Sequence, residues 1–318
     1  MSFLLPSANS MKLNLARCLW GVLIGLFLAW SLTGCAWLDR TQRAAIYRPT
    51  PTIDDNFKGL EAGDEQLYLL LDEPNGLPLT RAPVAGPSGS PAPYLGVWWL
   101  PSAMPNAPTL LYFHGVFRNL THNYPKIQAL RQAGFNVLAV TYRGWPGASP
   151  ALPSEQSIYV DAMRAFAELC RRQPDPHKRL LYGHSMGGGV AVEVASRLKY
   201  PDDYAGLMLE STFTTLADVA TELRWYAWLL KPLQSQYFDS VSKIPNIKAP
   251  LLVRHGEADQ TIPFVLGRRL FDAGPPGASP RRFIGFEGGS HSGLHVEFPE
   301  RYRSTAWDFW LEIAAQIR

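Results

Sequence analysis

A serine between glycines, where a strand-like run meets a helix-like run, limits the folds open to this chain more than any other feature. The run RLLYGH ends at His184, Ser185 follows, and GGGVAVEVASRL continues from Gly187 with helical composition. At a tight strand-to-helix turn the central residue is strained, and the residues two before and two after it must lack bulky side chains. Gly183 and Gly187 meet this requirement. The pattern predicts that Ser185 Oγ stands above the edge of a sheet.

Strand-like apolar runs alternate with helix-like segments along most of the chain, which is typical of a mostly parallel sheet covered by helices on both faces. Ser154 is a candidate N-cap for one helix, and PERYRSTAWDFWLEIAAQI is predicted to be the last helix. With 318 residues, 47% of them hydrophobic, the chain can bury the core of one large α/β domain. The predicted strands are EQLYLLL, YLGVWWL, TLLYFH, NVLAVTY, RLLYGH, AGLMLES, APLLVRH and RRFIGF.

A catalytic serine needs a base and an acid that orients the base, because a hydroxyl at its ordinary pKa is a weak nucleophile. In folds with this turn, the acid and then the histidine follow the serine along the chain. The run APLLVRH leads into GEADQTIP and places Asp259 just past a strand end, and RRFIGF leads into EGGSHSGLH and places His291 in a glycine-rich loop. The sequence therefore predicts a triad of Ser185, Asp259 and His291, with no metal ion and no cofactor.

Other residues compete for both partner roles. Glu257 and Glu210 also lie at strand ends and are alternatives to Asp259. His295 is the alternative to His291, and the spacing HSGLH has a superficial similarity to a pair of metal ligands, although a glycine interrupts it and no third ligand is evident. His114 precedes the serine in the chain and is interpreted as a hydrogen-bonding loop residue.

An oxyanion hole requires two N–H donors aimed at the charge of the tetrahedral intermediate. The backbone of Met186, at the start of the helix after the serine, is the first expected donor. The second is expected from the loop HGVFRN, at the backbone of Val116, because Gly115 permits a close approach there.

Seven segments follow one another in the order found in a known family: YFHGVFRN, TYRGWPGAS, PSEQSIYVDA, GHSMGGG, LESTFTTLADVA, HGEADQTIP and GGSH. The chain resembles the α/β-hydrolases of the serine aminopeptidase-like branch, which includes single-domain membrane-associated serine hydrolases. This resemblance implies the α/β-hydrolase fold, a mostly parallel central sheet with helices on both faces and a short helical cap insert. It also implies Ser185, Asp259 and His291 as the triad. Val116 stands where members often carry asparagine, so a side-chain contribution is not expected there.

The first 35 residues have the pattern of an export signal. Lys12 and Arg17 precede the apolar run CLWGVLIGLFLAW, and LTGC ends at Cys35. LTGC resembles the lipobox of bacterial lipoproteins, which implies a signal peptide over residues 1–34 and a lipid attached to Cys35. The catalytic domain is then expected in the periplasm of the cell envelope, with the outer membrane favoured over the inner. An uncleaved membrane anchor over residues 18–38 is the alternative, and translation can begin at Met1 or Met11.

Composition also predicts the tether and the cap. Residues 35–60 are polar and proline-containing and are predicted to be a lipid-anchored tether, so the hydrolase domain is expected over residues 61–318. A cap insert is expected over about residues 212–248. Trp225 and Trp228 make the cap aromatic, and we interpret them as candidate substrate-binding residues, with ordinary packing of a short helix as the alternative.

The expected activity is that of a serine hydrolase, esterase- or lipase-like, acting on a small-molecule or lipid acyl ester or thioester through an acyl-enzyme intermediate. Lysine and arginine total 30 against 27 aspartate and glutamate, so no nucleic-acid partner is expected. The three cysteines are too few and too widely spaced for a disulfide framework or a zinc site. A peptidase or amidase of the same fold and a non-catalytic envelope scaffold are the alternatives, and the oligomeric state is not determined by the sequence.

Overall fold

The computed structural model describes residues 34–73, 75–84, 92–277 and 279–317. The chain forms two compact units, Met1–Ala45 and Ile46–Arg318. The described part of the first unit is helical, and helix α1 covers residues 34–46. In the part of the chain that is described, no helix is both long enough and apolar enough to cross a membrane. The predicted export signal lies outside the described residues, except for residue 34.

An eight-stranded sheet forms the centre of the second unit, in the order β1-β2-β4-β3-β5-β6-β7-β8. Strand β2 is antiparallel to β1 and β4, and all other neighbouring strands are parallel. Each strand coincides with one of the eight apolar runs, and only β7 extends past its run, by one residue, so the predicted α/β-hydrolase fold is confirmed. The strands are β1 (Glu65–Leu70), β2 (Tyr94–Leu100), β3 (Thr109–Phe113), β4 (Asn136–Thr141), β5 (Arg179–His184), β6 (Gly206–Glu210), β7 (Leu251–Gly256) and β8 (Arg281–Phe286).

Helices cover both faces of this sheet. Because successive side chains of a strand point to opposite faces, Leu181 of β5 packs in one apolar cluster and Tyr182 in the other. The cluster around Leu181 includes α3, α4 and α6, and the cluster around Tyr182 includes α2, α7 and α8. The helices are α2 (Leu120–Gln132), α3 (Glu155–Arg172), α4 (Met186–Arg197), α5 (Leu216–Leu223), α6 (Phe264–Ala273), α7 (Leu294–Glu297) and α8 (Pro299–Ile317).

Two predicted helices agree closely with the structure. Ser154 is the N-cap of α3, and its side chain and that of Ser157 form a reciprocal capping box. Helix α8 buries the predicted stripe of apolar residues, which comprises Tyr302, Ala306, Phe309, Trp310 and Ile313. The apolar spacing was therefore sufficient to predict which face of α8 packs on the sheet.

The compact domain begins earlier than the predicted residue 61, at Ile46. The reason is packing: the side chain of Tyr47 is 4% exposed and belongs to the core. The side-chain amide of Asn119 donates a hydrogen bond to the carbonyl of Thr50 at 3.0 Å. The segment after Ile46 is therefore part of the folded unit, although its composition is that of a tether.

The segment predicted to be the cap is helical. It contains α5, a 3-10 helix over Trp225–Leu233 and a shorter 3-10 helix over Ile244–Asn246. It leaves the sheet at the carboxyl end of β6, where Thr212 Oγ1 donates to the carbonyl of Ser185 at 2.9 Å. The cap therefore begins beside the turn that holds the serine.

Candidate active site

Ser185 lies in the tight turn between β5 and α4. Its φ of 57° and ψ of −124° are strained for a residue with a side chain. A Cβ on Gly183 would overlap the carbonyl of Gly187, and a Cβ on Gly187 would overlap the carbonyl of Phe113. Strand and helix therefore approach as closely as the sequence predicts, and both glycines are required for that approach.

The structure brings the three predicted triad side chains into one chain of hydrogen bonds. His291 Nε2 lies 3.0 Å from Ser185 Oγ, and His291 Nδ1 lies 2.7 Å from Asp259 Oδ2. Asp259 follows β7 and His291 follows β8, so both come from the carboxyl edge of the sheet, where β5 delivers Ser185. With Nδ1–H donating a hydrogen bond to Asp259, Nε2 is free to accept the proton of the serine hydroxyl.

The carboxylate of Asp259 is held from both sides. Its Oδ1 accepts hydrogen bonds from the N–H groups of Thr261 and Ile262, each at 2.8 Å, and His255 Nε2 lies 3.3 Å from Oδ2. Burial alone would raise the pKa of Asp259, but hydrogen bonds from His255 and His291 outweigh burial and hold the pKa below its usual range. Asp259 is therefore anionic and suited to support an imidazolium at His291.

His184 directly contacts the loop that carries His291, a contact that the sequence did not predict. Its Nε2 lies 3.1 Å from the carbonyl oxygen of His291, and the two rings are 5.1 Å apart. Burial lowers the pKa of His184 well below its usual value, so the neutral ring donates its Nε2–H to that carbonyl. The sequence signal available for this contact is that His184 directly precedes Ser185.

The two expected oxyanion donors are both close to Ser185. Met186 is the first residue of α4, so its N–H has no carbonyl partner within the helix. A Cβ on Gly115 would come within 3.2 Å of Ser185 Cβ, which brings the following residue, Val116, to the same cavity. The indole of Trp145 donates to the Val116 carbonyl at 3.1 Å and holds that residue in place.

The competing residues lie elsewhere. Glu210 is buried and bonded to Lys126 and Arg254, and Glu257 is exposed. No contact is found between either carboxylate and His291 among the described residues. The ring of His295 packs against Tyr302, with centroids 6.0 Å apart. His114 is buried, its Nδ1 lies 2.6 Å from the Gly115 carbonyl, and burial lowers its pKa to about 4.

Ser185 and His291 face a cavity of about 220 Å³. Trp228 is 56% exposed and does not line this cavity, and the side chain of Trp225 lies outside the described part of the structure. Cys35 is an exposed residue of α1 in the first unit. The cavity is lined by Gly115, Val116, Phe117, Arg118, Asn123, His184, Ser185, Thr261, His291 and Ser292.

Sequence comparison connects this site to known hydrolases. The family described as serine aminopeptidase, S33, matches residues 105–242, a span that contains Ser185 and ends before Asp259 and His291. Lysophosphatidylserine lipase ABHD12 of Rattus norvegicus is 32% identical over 204 residues, which are 59% of this chain and 50% of that protein. An uncharacterized protein of Mycobacterium tuberculosis is 34% identical over 202 residues, which are 62% of this chain and 68% of that protein.

The chain thus spans about half the length of the lipase to which it is similar. Among solved structures, the Pyrococcus furiosus esterase Pf2001 is similar with a TM-score of 0.59 at 17% identity, over 83% of this chain and 96% of that one. At such low identity this similarity concerns the fold. The sheet order, the serine turn, the family match and the similar hydrolases together show that the chain belongs to the α/β-hydrolase superfamily.

Proposed function

We propose that this protein is a serine hydrolase that cleaves acyl esters. The observation that carries the proposal is the continuous hydrogen-bonded path from Ser185 Oγ through His291 to Asp259, with distances of 3.0 and 2.7 Å. The path opens into a cavity, so a substrate carbonyl can reach the hydroxyl.

In the first half of the reaction, His291 Nε2 takes the proton of Ser185 as Oγ forms a bond to the ester carbon. The N–H groups of Val116 and Met186 stabilise the negative charge that develops on the carbonyl oxygen. When the intermediate collapses, the bond from the acyl carbon to the alcohol oxygen breaks. The imidazolium returns its proton to that oxygen, which leaves an alcohol product and an acyl group on Ser185.

In the second half, water takes the place of the alcohol. His291 removes a proton from the water as its oxygen attacks the acyl carbon, and the bond to Ser185 Oγ then breaks. The proton returns to Oγ, the free acid leaves, and the enzyme is restored. Asp259 keeps its charge throughout and stabilises the imidazolium in both halves.

An ester substrate is favoured by the similar proteins, whose names identify a lysophosphatidylserine lipase and an esterase. A peptidase is the second candidate, because the matching family is described as serine aminopeptidase. The two candidates share the same acyl chemistry and differ in the leaving group, which is an alcohol or an amine.

A fluorophosphonate probe tests the proposal. It should label the wild type, and Ser185→Ala should abolish labelling together with turnover of p-nitrophenyl esters. A series of acyl chain lengths, measured beside aminoacyl amides, distinguishes esterase from peptidase. A folded wild-type protein that resists the probe and hydrolyses neither substrate series would exclude the enzyme and favour the scaffold.

We further propose that the protein is lipid-anchored through Cys35 in the bacterial envelope, with the catalytic domain in the periplasm. The support is the LTGC sequence and the exposure of Cys35. In a bacterial host, the parent protein should partition with membranes and incorporate labelled fatty acid, and Cys35→Ser should lose both properties. Membrane association of Cys35→Ser at the parent level would favour an uncleaved anchor instead.

A further inference from the structure

The loop after β3 brings two residues to the catalytic cavity that have no part in the mechanism above. Phe117 and Arg118 both line the cavity that contains Ser185. The Phe117 ring is 48% exposed, and Arg118 is also exposed. An exposed aromatic ring beside a charged guanidinium, at the opening of a site, has no evident role in packing.

A second arginine comes to the same place from a distant part of the sequence. The guanidinium carbon of Arg48 lies 5.5 Å from the centre of the Phe117 ring. The N–H of Thr50 donates to the carbonyl of Phe117 at 2.7 Å. This hydrogen bond fixes the segment that contains Arg48 and Thr50 against the loop after β3. We call Arg48, Phe117 and Arg118 the basic rim.

In the described part of the chain, no carboxylate balances the positive charge of the basic rim. Among the described residues, neither Arg48 nor Arg118 forms an ion pair. None of the described residues that line the cavity is acidic, and Asp259, behind His291, is engaged by histidines and backbone N–H groups.

The nearby helix adds to the positive potential. Helix α2 begins at Leu120, two residues after Arg118, and has no acidic residue in its first turn. The N-terminal end of a helix carries a partial positive charge that favours anions. The guanidinium groups and the N-terminus of α2 therefore both favour the binding of an anion at one side of the cavity.

We propose that the basic rim binds a phosphate group on the ester substrate, an inference that rests on the proposed function. A phosphate has enough acceptor oxygens for two guanidinium groups, and arginine binds it through paired hydrogen bonds. Arg118 follows Val116 by two residues, which places their Cα atoms within about 7 Å of each other. A phosphate bound there is separated from the reacting carbonyl by a few bonds, as in a lysophospholipid with a glycerol linker.

The aromatic member of the rim suits the same class of substrate. The C–H groups of the carbon atoms between an ester and a phosphate are apolar, and the exposed Phe117 ring offers a surface against which they can pack. An amphiphile with an acyl chain and a phosphate therefore matches the site better than free phosphate does.

The kinetic test compares two esters with the same short acyl chain, an acylglycerol phosphate and the uncharged monoacylglycerol. The measured quantity is the ratio of kcat/KM for the first to kcat/KM for the second. Arg118→Ala should lower this ratio about tenfold to a hundredfold, the factor expected for a charge-assisted hydrogen bond. Arg118→Lys should retain part of the ratio, and Arg48→Ala should lower it by a smaller factor.

Arg81→Ala is the matched control, because Arg81 is exposed, does not line the cavity and carries the same charge. Its ratio should stay within twofold of the wild type. An unchanged ratio in Arg118→Ala, or an equal loss in Arg81→Ala, would overturn the inference. Failure of the proposed function is a different result, in which fluorophosphonate does not label the wild type and neither ester is cleaved.

A binding measurement separates substrate phosphate from free phosphate. The Ser185→Ala protein is titrated calorimetrically with an alkylglycerol phosphate ether, with the corresponding alkylglycerol and with inorganic phosphate. The ether phosphate should bind at least tenfold more tightly than the other two, and addition of Arg118→Ala should remove the difference. Inorganic phosphate binding as tightly as the ether phosphate would identify a free-phosphate site and overturn substrate recognition.

Discussion

The side chain of Asp259 illustrates how single residues in this site are positioned by several partners. Two backbone N–H groups bind one oxygen, and His255 and His291 approach the other. The carboxylate therefore cannot rotate without breaking several hydrogen bonds. This arrangement fixes the direction in which His291 Nε2 points, which is toward Ser185.

We predict that Asp259→Asn lowers kcat for ester hydrolysis by about 10³–10⁴-fold, because an amide does not hold the histidine in the required tautomer. KM should change much less. Glu257→Gln is the control, since Glu257 is exposed and was the alternative acid, and its kcat should stay within twofold of the wild type. Steady-state kinetics would contradict this assignment if the two variants lost activity equally.

The positions of Ser185, Asp259 and His291 could be predicted because each follows a recognisable apolar run. The contacts of His255, His184 and Arg48 could not, since they depend on tertiary packing between segments far apart in the chain. The same limit applies to Trp228. Its aromatic character suggested a substrate-binding residue, but its side chain is exposed and does not line the catalytic cavity.

Between secondary-structure elements, a buried polar cluster joins helices to the sheet. Glu210 of β6 is bonded to Lys126 of α2 and Arg254 of β7, and it accepts hydrogen bonds from Tyr182 and Tyr302. Burial would raise the pKa of Glu210, but the positive charges of Lys126 and Arg254 hold it below the usual range. The cluster therefore connects α2, β5, β6, β7 and α8 through buried charged groups and tyrosine hydroxyls.

We predict that Lys126→Met destabilises the fold by about 3–5 kcal/mol, because it leaves a buried carboxylate with one of its two cationic partners missing. The double variant Lys126→Met/Glu210→Gln should recover a substantial part of the loss. Chemical denaturation measures both. Equal free energies of unfolding for the wild type and Lys126→Met would show that the ion pair has no net effect on stability.

Elements with regular apolar spacing, such as α8, were predictable to the residue, whereas the start of the domain was not. Residues 46–60 have the polar composition of a linker, but the side chain of Tyr47 fills a place in the core. One buried aromatic ring gives no periodicity, so its contribution becomes visible only in the folded molecule.

For the whole molecule, buried histidines contribute to the loss of stability in acid. Burial lowers the pKa of both His114 and His295 to about 4, from an ordinary value of 6.5. Below pH 6.5 the unfolded chain takes up protons at these side chains, whereas the folded chain does so only near pH 4. The free energy of unfolding must therefore decrease as the pH falls through this range.

We predict that His114 alone lowers the free energy of unfolding by about 3 kcal/mol as the pH falls from 6.5 to 4. The reason is that its pKa is roughly 2.5 units lower in the folded chain than in the unfolded chain. Between these values, His114→Asn should reduce the slope of unfolding free energy against pH by up to about 1.4 kcal/mol per pH unit. Urea titrations at pH 5, 6 and 7 provide the slopes. Parallel slopes for the two proteins would mean that His114 is not a buried neutral group.

The order of the strands also bears on when the protein becomes active. Ser185 lies near the middle of the chain, but the loops with Asp259 and His291 follow β7 and β8, the last two strands. A ribosome must therefore synthesise three further strands after Ser185 before the serine has its base. A chain interrupted before the loop after β8 therefore carries Ser185 without the imidazole that would accept its proton.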